Sequence, residues 1–317
     1  MNSGYFVISL DFELIYGMLD VLSEDDEYYQ NLFGARDAIP RLLDLFRKYS
    51  IAATWAPVGM LFNENIGELV KNIPALEPHY ENQKVSVYTH LCNFDEQKER
   101  LYFASDLIKL ISECPKQEIA THTYSHYYCT EPGQTKEEFE ADIQQAVKIM
   151  IDRGYDSPYS LIFPRNMCND EYLYVLDNNG IRTYRGETEV WYTRLHEGHL
   201  KKVIRLVDAY INIGGHECYE LERCATINIP ASRFLYPYGR LPHLDWLKIH
   251  RIERQMKYAA VHKKVFHLWW HPHNFGMNTG ENLRNLEVIL DYYTQLREKY
   301  NMESVNMKML GEKCLTR

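Results

Sequence analysis

The sequence predicts an α/β protein whose parallel strands curl into a (β/α) barrel, and three observations carry that expectation. Short apolar, strand-like runs alternate along the chain with amphipathic helical segments. No Pro/Gly/Ser-rich linker, internal repeat or low-complexity tract divides the 317 residues, a length that one α/β barrel commonly fills. Polar clusters fall just past the strand-like runs, where barrels of this kind carry their chemistry. The expectation is one domain over residues 1–317 with about seven parallel strands, interrupted by an irregular insertion at about 186–240.

The elements follow in order. Tyr5–Leu10 reads as a strand and runs into an acidic loop, Ser23-Glu24-Asp25-Asp26-Glu27. Ile39, Leu42, Leu43 and Phe46 keep the spacing of a buried helical stripe, with Asp37 at the N-cap position. Ile51–Ala56 is a second strand, residues 96–113 read as helix, and Glu118-Ile119-Ala120 as a short buried strand. Thr135 followed by Glu138 is a capping box, which opens a helix striped by Phe139, Ile143, Ala146 and Met150 and stopped by Gly154. Tyr159–Phe163, a helix over 170–179 ended by Gly180, and Ile181–Tyr184 continue the alternation. Gly214-Gly215, two cysteines and Pro230 mark 186–240 as irregular with short strands. A helix over about 245–263, the apolar strand Val265–Trp270 and a long helix over Glu281–Tyr300 close the chain.

Composition excludes several classes. With 35 basic against 44 acidic side chains and a formal net charge of -9, the chain lacks the clustered cations that phosphate backbones require, so no nucleic-acid partner is expected. No run approaches the ~18 apolar residues of a membrane span. The seven scattered cysteines form no CxxC pair, and the N-terminus shows no basic region before an apolar run, which together make a cytoplasmic location the expectation. The 25 tyrosines are unusually many; a flat apolar face joined to a hydroxyl suits sugars.

Four clusters at strand ends can carry chemistry. Asp11 and Glu13 flank Phe12 and share one face of a strand, so two carboxylates meet unless a metal or proton intervenes. His122 and His126, in Thr121-His122-Thr123-Tyr124-Ser125-His126, can bind one metal if the segment turns like a helix; the Glu that a zinc-protease helix needs after the first His is replaced by Thr123. Arg165, in Phe163-Pro164-Arg165-Asn166, offers a guanidinium able to hold a carboxylate ionised. His271 and His273 end a very apolar strand and are candidates for a general acid, beside Trp269 and Trp270.

In this order the four clusters resemble the polysaccharide deacetylase family, which uses a distorted (β/α) barrel. Thr-His-Thr-x-Ser-His at 121–126 matches the family's [ST]-H-[ST]-x-x-H motif, Asp11 its first motif, Arg165 its third and the strand ending in His271 its last. Phe12 departs from the usual adjacent aspartates, and Asp11-x-Glu13 is similar to a D-x-E branch. The resemblance implies a divalent metal, zinc, on His122, His126 and Glu13, with Asp11 as base, Arg165 holding it, and His271 or else His273 as acid. It implies removal of the acetyl group from an N-acetylated sugar or glycan of surface polysaccharide synthesis. Another C–N hydrolase, acting on an amide or cyclic ureide, and an inactive glycan-binding barrel are the alternatives.

Overall fold

The computed structural model describes residues 3–23, 26–186, 190–195, 198–239 and 241–316, so Glu24 and Asp25 of the acidic loop and six positions of the insertion lie outside the described residues. The strands are β1 (Tyr5–Phe12), β2 (Ala53–Pro57), β3 (Gln117–Ile119), β4 (Ser160–Ile162), β5 (Thr183–Arg185), β6 (Ile227–Asn228), β7 (Arg233–Phe234), β8 (Val265–Trp270) and β9 (Glu303–Ser304). Every ladder between them is parallel. One sheet runs β3-β2-β1-β8-β7 with β9 appended to β1, and a second runs β4-β5-β6.

Two seams join the sheets into a distorted barrel. On one side Thr121, just past β3, bridges Leu161 of β4. On the other, a single segment serves both sheets. Ile227, Ile229 and Ala231 donate their N–H groups to Arg182, Tyr184 and Gly186, and then Ser232 and Leu235 donate to His267 and Trp269. Pro230, with no N–H of its own, sits where the segment changes partner. The end of the expected insertion is therefore barrel wall, and the irregular part stops short of β6.

β1 is buried at all eight positions and pairs on both sides, as a central parallel strand must. It runs two residues past the expected end at Leu10, which puts Asp11 inside the ladder, opposite Ala56. The first helix spans Tyr29–Tyr49 and carries Pro40 inside it, so Asp37 is an interior residue and not an N-cap. Its early start follows from packing. Gly34 touches the backbone of Gly276, and Gly276 that of Asn31, at approaches where a Cβ would collide. Residues 96–113 form three short helices instead of one, because the chain extends at Phe103 and Ala104 donates its N–H to Leu61. The capping box of Thr135 and Glu138 is present, and Gly154 follows its helix in the left-handed conformation.

Candidate functional site

The polar clusters meet in a cleft of about 530 Å³ at the C-terminal ends of the strands. Side chains alternate along β1, so Ser9 and Asp11 share the face that looks into the barrel. Both touch Arg185, the last residue of β5. Nη1 and Nη2 of Arg185 donate to Oδ1 and Oδ2 of Asp11 at 2.6 Å each. Nη1 also donates to Ser9 Oγ (2.9 Å), and Nε and Nη2 donate to Asn166 Oδ1 (2.9 and 2.7 Å). All five N–H donors of a guanidinium are thereby used. The ring of Trp269 lies under the guanidinium at 4.3 Å.

A further residue stands behind this fork. His267 is buried in β8, with Nδ1 at 3.1 Å from the Ile229 carbonyl and Nε2 at 2.8 Å from Ser9 Oγ. The carbonyl requires Nδ1 to donate, so the lone pair is on Nε2 and Ser9 donates to it. Burial and the nearby Arg185 lower the His267 pKa to about 3, consistent with that neutral tautomer. Burial alone would raise the Asp11 carboxyl; Arg185 outweighs it and holds the group below its ordinary range.

Glu13 lies just beyond β1. Its Oε2 accepts from His126 Nε2 at 2.9 Å and stands 3.4 Å from His122 Nε2. Its Oε1 is 3.3 Å from His271 Nε2, which is also 3.8 Å from Asp11 Oδ2. Burial would raise Glu13, but the imidazoles around it bring it well below the usual carboxylate value. The segment holding His122 and His126 does not turn as a helix. Thr123 and His126 adopt left-handed backbone (φ 65° and 57°), and the two rings come within 5.0 Å. Asp142 clamps this turn from the capped helix, accepting from the N–H groups of Tyr124 (2.6 Å) and Ser125 (3.0 Å) and from the Ser125 hydroxyl. Gly17 is the other fitted residue, since a Cβ there would strike the Glu13 carboxylate.

The donor set fits a divalent cation. Ligand atoms of Glu13, His122 and His126 all lie within 4.8 Å of one another, and all three residues are buried. Both ring nitrogens of His122 lack a hydrogen-bond partner, a costly state for a buried imidazole unless something else coordinates it.

Of the residues singled out from sequence, Asp11, Glu13, His122, His126, His271 and His273 converge on this cleft. Arg165 borders it without reaching Asp11. Its left-handed backbone (φ 56°) swings the guanidinium onto Asp20 and over the Tyr128 ring at 4.3 Å. The residue that holds Asp11 is Arg185, which the sequence reading passed over; an arginine closing a short strand was the available signal. His271 Nδ1 donates to Asn274 Oδ1 (3.2 Å), which leaves Nε2 facing the carboxylates. His273 is 2% exposed and stacks on His271 at 4.9 Å, and burial lowers its pKa to about 3. Of the pair, His271 is the one placed to exchange a proton with the cleft.

Comparison with known proteins identifies the family and the fold. The family model for polysaccharide deacetylase matches residues 21–184, just over half of the chain. No curated protein matches the sequence. Among solved structures, an assigned polysaccharide deacetylase from Mycobacterium smegmatis superposes with TM-score 0.61 at 12% identity, over 99% of this chain and 91% of that one. An assigned polysaccharide deacetylase from Pseudomonas aeruginosa PAO1 gives 0.58 at 9% identity (98% and 90%), and the Puue allantoinase 0.58 at 10% (98% and 90%). These three share the fold.

Proposed function

Because the chain belongs to the polysaccharide deacetylase family, we propose that it hydrolyses the acetamido group of an N-acetylated sugar, releasing acetate and the amino sugar. The observation that carries the proposal is the Asp11–Arg185 fork standing beside the Glu13, His122 and His126 cluster in one cleft. His122, His126 and Glu13 would hold a divalent cation, zinc in the expected case. When bound, such an ion supplies Lewis acidity toward water and the acetyl oxygen.

The protein's own groups account for the proton traffic. Arg185 keeps Asp11 ionised and fixed in orientation, so the carboxylate can take a proton from the attacking water. The water oxygen bonds to the acetyl carbon, the C–N bond breaks, and His271 Nε2 delivers a proton to the departing nitrogen. This needs His271 as imidazolium, and Asn274 Oδ1, accepting from its Nδ1–H, holds the ring with Nε2–H toward the cleft. Trp269 and Phe234, whose rings stand 5.6 and 5.9 Å from His271, offer apolar faces for the sugar. The substrate is a precursor or glycan of surface polysaccharide synthesis.

The test is metal analysis of the purified protein together with acetate release over a panel of N-acetylated sugars. Acetate release that chelators abolish and added zinc restores is the expected result. Chelator-insensitive cleavage of an amide or cyclic ureide would assign another C–N hydrolase, and sugar binding with no acetate release would assign an inactive barrel.

A further inference from the structure

Asn166 follows β4 in a tight turn. Arg165 and Asn166 are both left-handed (φ 56° and 55°), a conformation that Asn tolerates better than most residues. The N–H of Asn166 donates to Phe163 (2.9 Å) and that of Met167 to Pro164 (3.1 Å), which closes the turn. The carboxamide is fixed separately. A guanidinium only donates, so the atom that meets Nε and Nη2 of Arg185 at 2.9 and 2.7 Å must be the amide oxygen. The NH2 group is thereby turned away from Arg185, on a residue that lines the cleft. Neither of its N–H bonds has an acceptor among the described residues.

Of the three residues that accept from Arg185, Asn166 alone keeps unused donors. Asp11 has none, and the Ser9 hydroxyl donates to His267. Nη2 of Arg185 serves Oδ2 of Asp11 and Oδ1 of Asn166 together, so the free amide stands beside the proposed base. The barrel wall runs from β1 through β2, β3, β4, β5 and the β6–β7 segment to β8, which returns to β1. β4 therefore faces the seam of β8 and β1 across the opening. His271 follows β8, so a scissile nitrogen seated on His271 Nε2 turns the acyl half of the amide toward β4. The oxygen is the one hydrogen-bond acceptor in that half.

We propose that Asn166 is a catalytic residue whose Nδ2–H groups bind the acyl oxygen of the substrate amide. As the water oxygen bonds to the acyl carbon, the carbonyl π pair moves onto that oxygen, and its hydrogen bond from Asn166 strengthens. The turn and Arg185 hold the amide in place before substrate arrives, so no side chain has to reorganise as the charge develops. Arg185 thus sets two groups at once: the carboxylate that takes the proton and the amide that meets the new negative charge. The inference rests on the deacetylase reading of this cleft and adds to it the group that reads the acyl oxygen.

The test pairs a variant with an atom exchange in the substrate. Asn166→Asp keeps an oxygen for Arg185 and loses both N–H donors. Amino-sugar release is followed from the N-acetyl sugar of the panel that the parent cleaves fastest, and from the same sugar with sulfur, a weak acceptor, in place of the acetyl oxygen. In the variant, kcat on the oxygen substrate should fall about 10²–10³-fold. The ratio of kcat/KM, oxygen over sulfur, should drop on the order of tenfold relative to the parent. Any affinity of a bound cation for sulfur is common to both proteins and cancels in that comparison. A residue that merely braced Arg185 would slow both substrates equally, so an unchanged ratio would overturn the proposal. So would a kcat within about threefold of the parent's. Should Asn166→Asp fail to fold, Asn166→Ala, which adds no charge, must show the same drop in the ratio. A parent that releases no amino sugar from any member of the panel would remove the deacetylase reading and this inference with it; an active parent with an unchanged ratio removes the inference alone.

Discussion

Two buried arginines sit a short way apart in this barrel, and they are held differently. Arg185, on β5, faces one carboxylate, and all five of its N–H groups are used by Asp11, Ser9 and Asn166. Arg233, on β7, faces two: Nη1 donates to Asp208 (2.6 Å), Nη2 to Glu217 (2.5 Å), and Nε to Gln255 (3.0 Å). Arg251 stands 3.6 Å from Asp208 with its Nε and Nη1 unpaired. The first cluster is stoichiometric and rigid, so it presents a carboxylate to the cleft in one protonation state and one direction. The second spreads two arginines over two carboxylates and ties the loop 213–217 and the helix ending at Asp208 to the barrel wall. The same ion chemistry orients a reacting group in one place and braces an insertion in the other.

The comparison is broken most severely at Asp11. Asp11→Asn removes the proposed base and leaves Arg185 charged without a counter-ion, so acetate release should fall by ~10²–10⁴. The lost partner of a buried pair should also cost roughly 3–5 kcal/mol of stability. Bound zinc, measured by metal analysis, should persist. Activity near that of the parent would take Asp11 out of the base role.

Next in size is Arg185→Lys, which keeps the charge and loses the fork. One ammonium cannot serve both oxygens of Asp11 together with Ser9 and Asn166. The expected result is a fall in kcat on the order of 100-fold with KM little changed, the signature of a lost transition-state interaction. Arg165→Lys should change kcat less than about threefold, because Arg165 pairs with Asp20 and not Asp11. Equal losses in the two variants would refute the assignment of Arg185 over Arg165.

Those two arginines also show what the sequence discloses and what it hides. The barrel class was legible from alternating strands and helices, and Val265–Trp270 coincides with β8, because a fully buried parallel strand needs a continuous apolar run. The polar clusters stood out because they interrupt such runs. What periodicity cannot reveal is where a loop points its side chains. After β4 the chain turns through left-handed Arg165 and Asn166 (φ 56° and 55°), so the Pro-Arg-Asn motif sends Asn166 to the fork and Arg165 away from it. Strands β6 and β7 have two residues each and belong to a nine-residue wall segment bent at Pro230, too short for alternation to register. Asp37 failed as a cap because backbone contacts at Gly34 and Gly276, distant in sequence, set where the first helix begins.

Gly17→Ala probes the metal cluster with one methyl group. The new Cβ would strike the Glu13 carboxylate, which is buried and cannot swing away without leaving His126. Zinc affinity should drop roughly 10–100-fold, the usual cost of disturbing a ligand's orientation. Activity should return at high zinc concentration. Loss of activity at unchanged zinc affinity would place Gly17 in substrate access instead.

The smallest effect concerns the two acids that share Arg233. Burial would raise both. For Asp208, Arg233 and the N–H groups of Gly214 and Ile213 reverse that and lower its pKa from 3.8 to about 2. Glu217 keeps a raised value through burial and the neighbouring Asp208, which outweigh the pull of Arg233. A lowered acid stabilises the fold above its unfolded pKa and loses that contribution as pH falls through the folded value. Asp208 therefore contributes about 2 kcal/mol at pH 7, lost progressively below 3.8. A raised acid has the opposite sign: its contribution is present below 4.5 and lost as pH rises. At pH 7 Asp208→Asn should lower the melting temperature, with the gap closing as pH approaches 3. Glu217→Gln, whose one Oε can accept from Arg233 while its amide N–H meets the Tyr192 hydroxyl, should be neutral or slightly stabilising at pH 7 and lose that advantage in acid. Thermal melts of the two variants from pH 3 to 8 decide it. Parallel curves would mean that the two carboxylates share the arginine evenly, and the contrast with the single-acid fork at Arg185 would then rest on geometry alone.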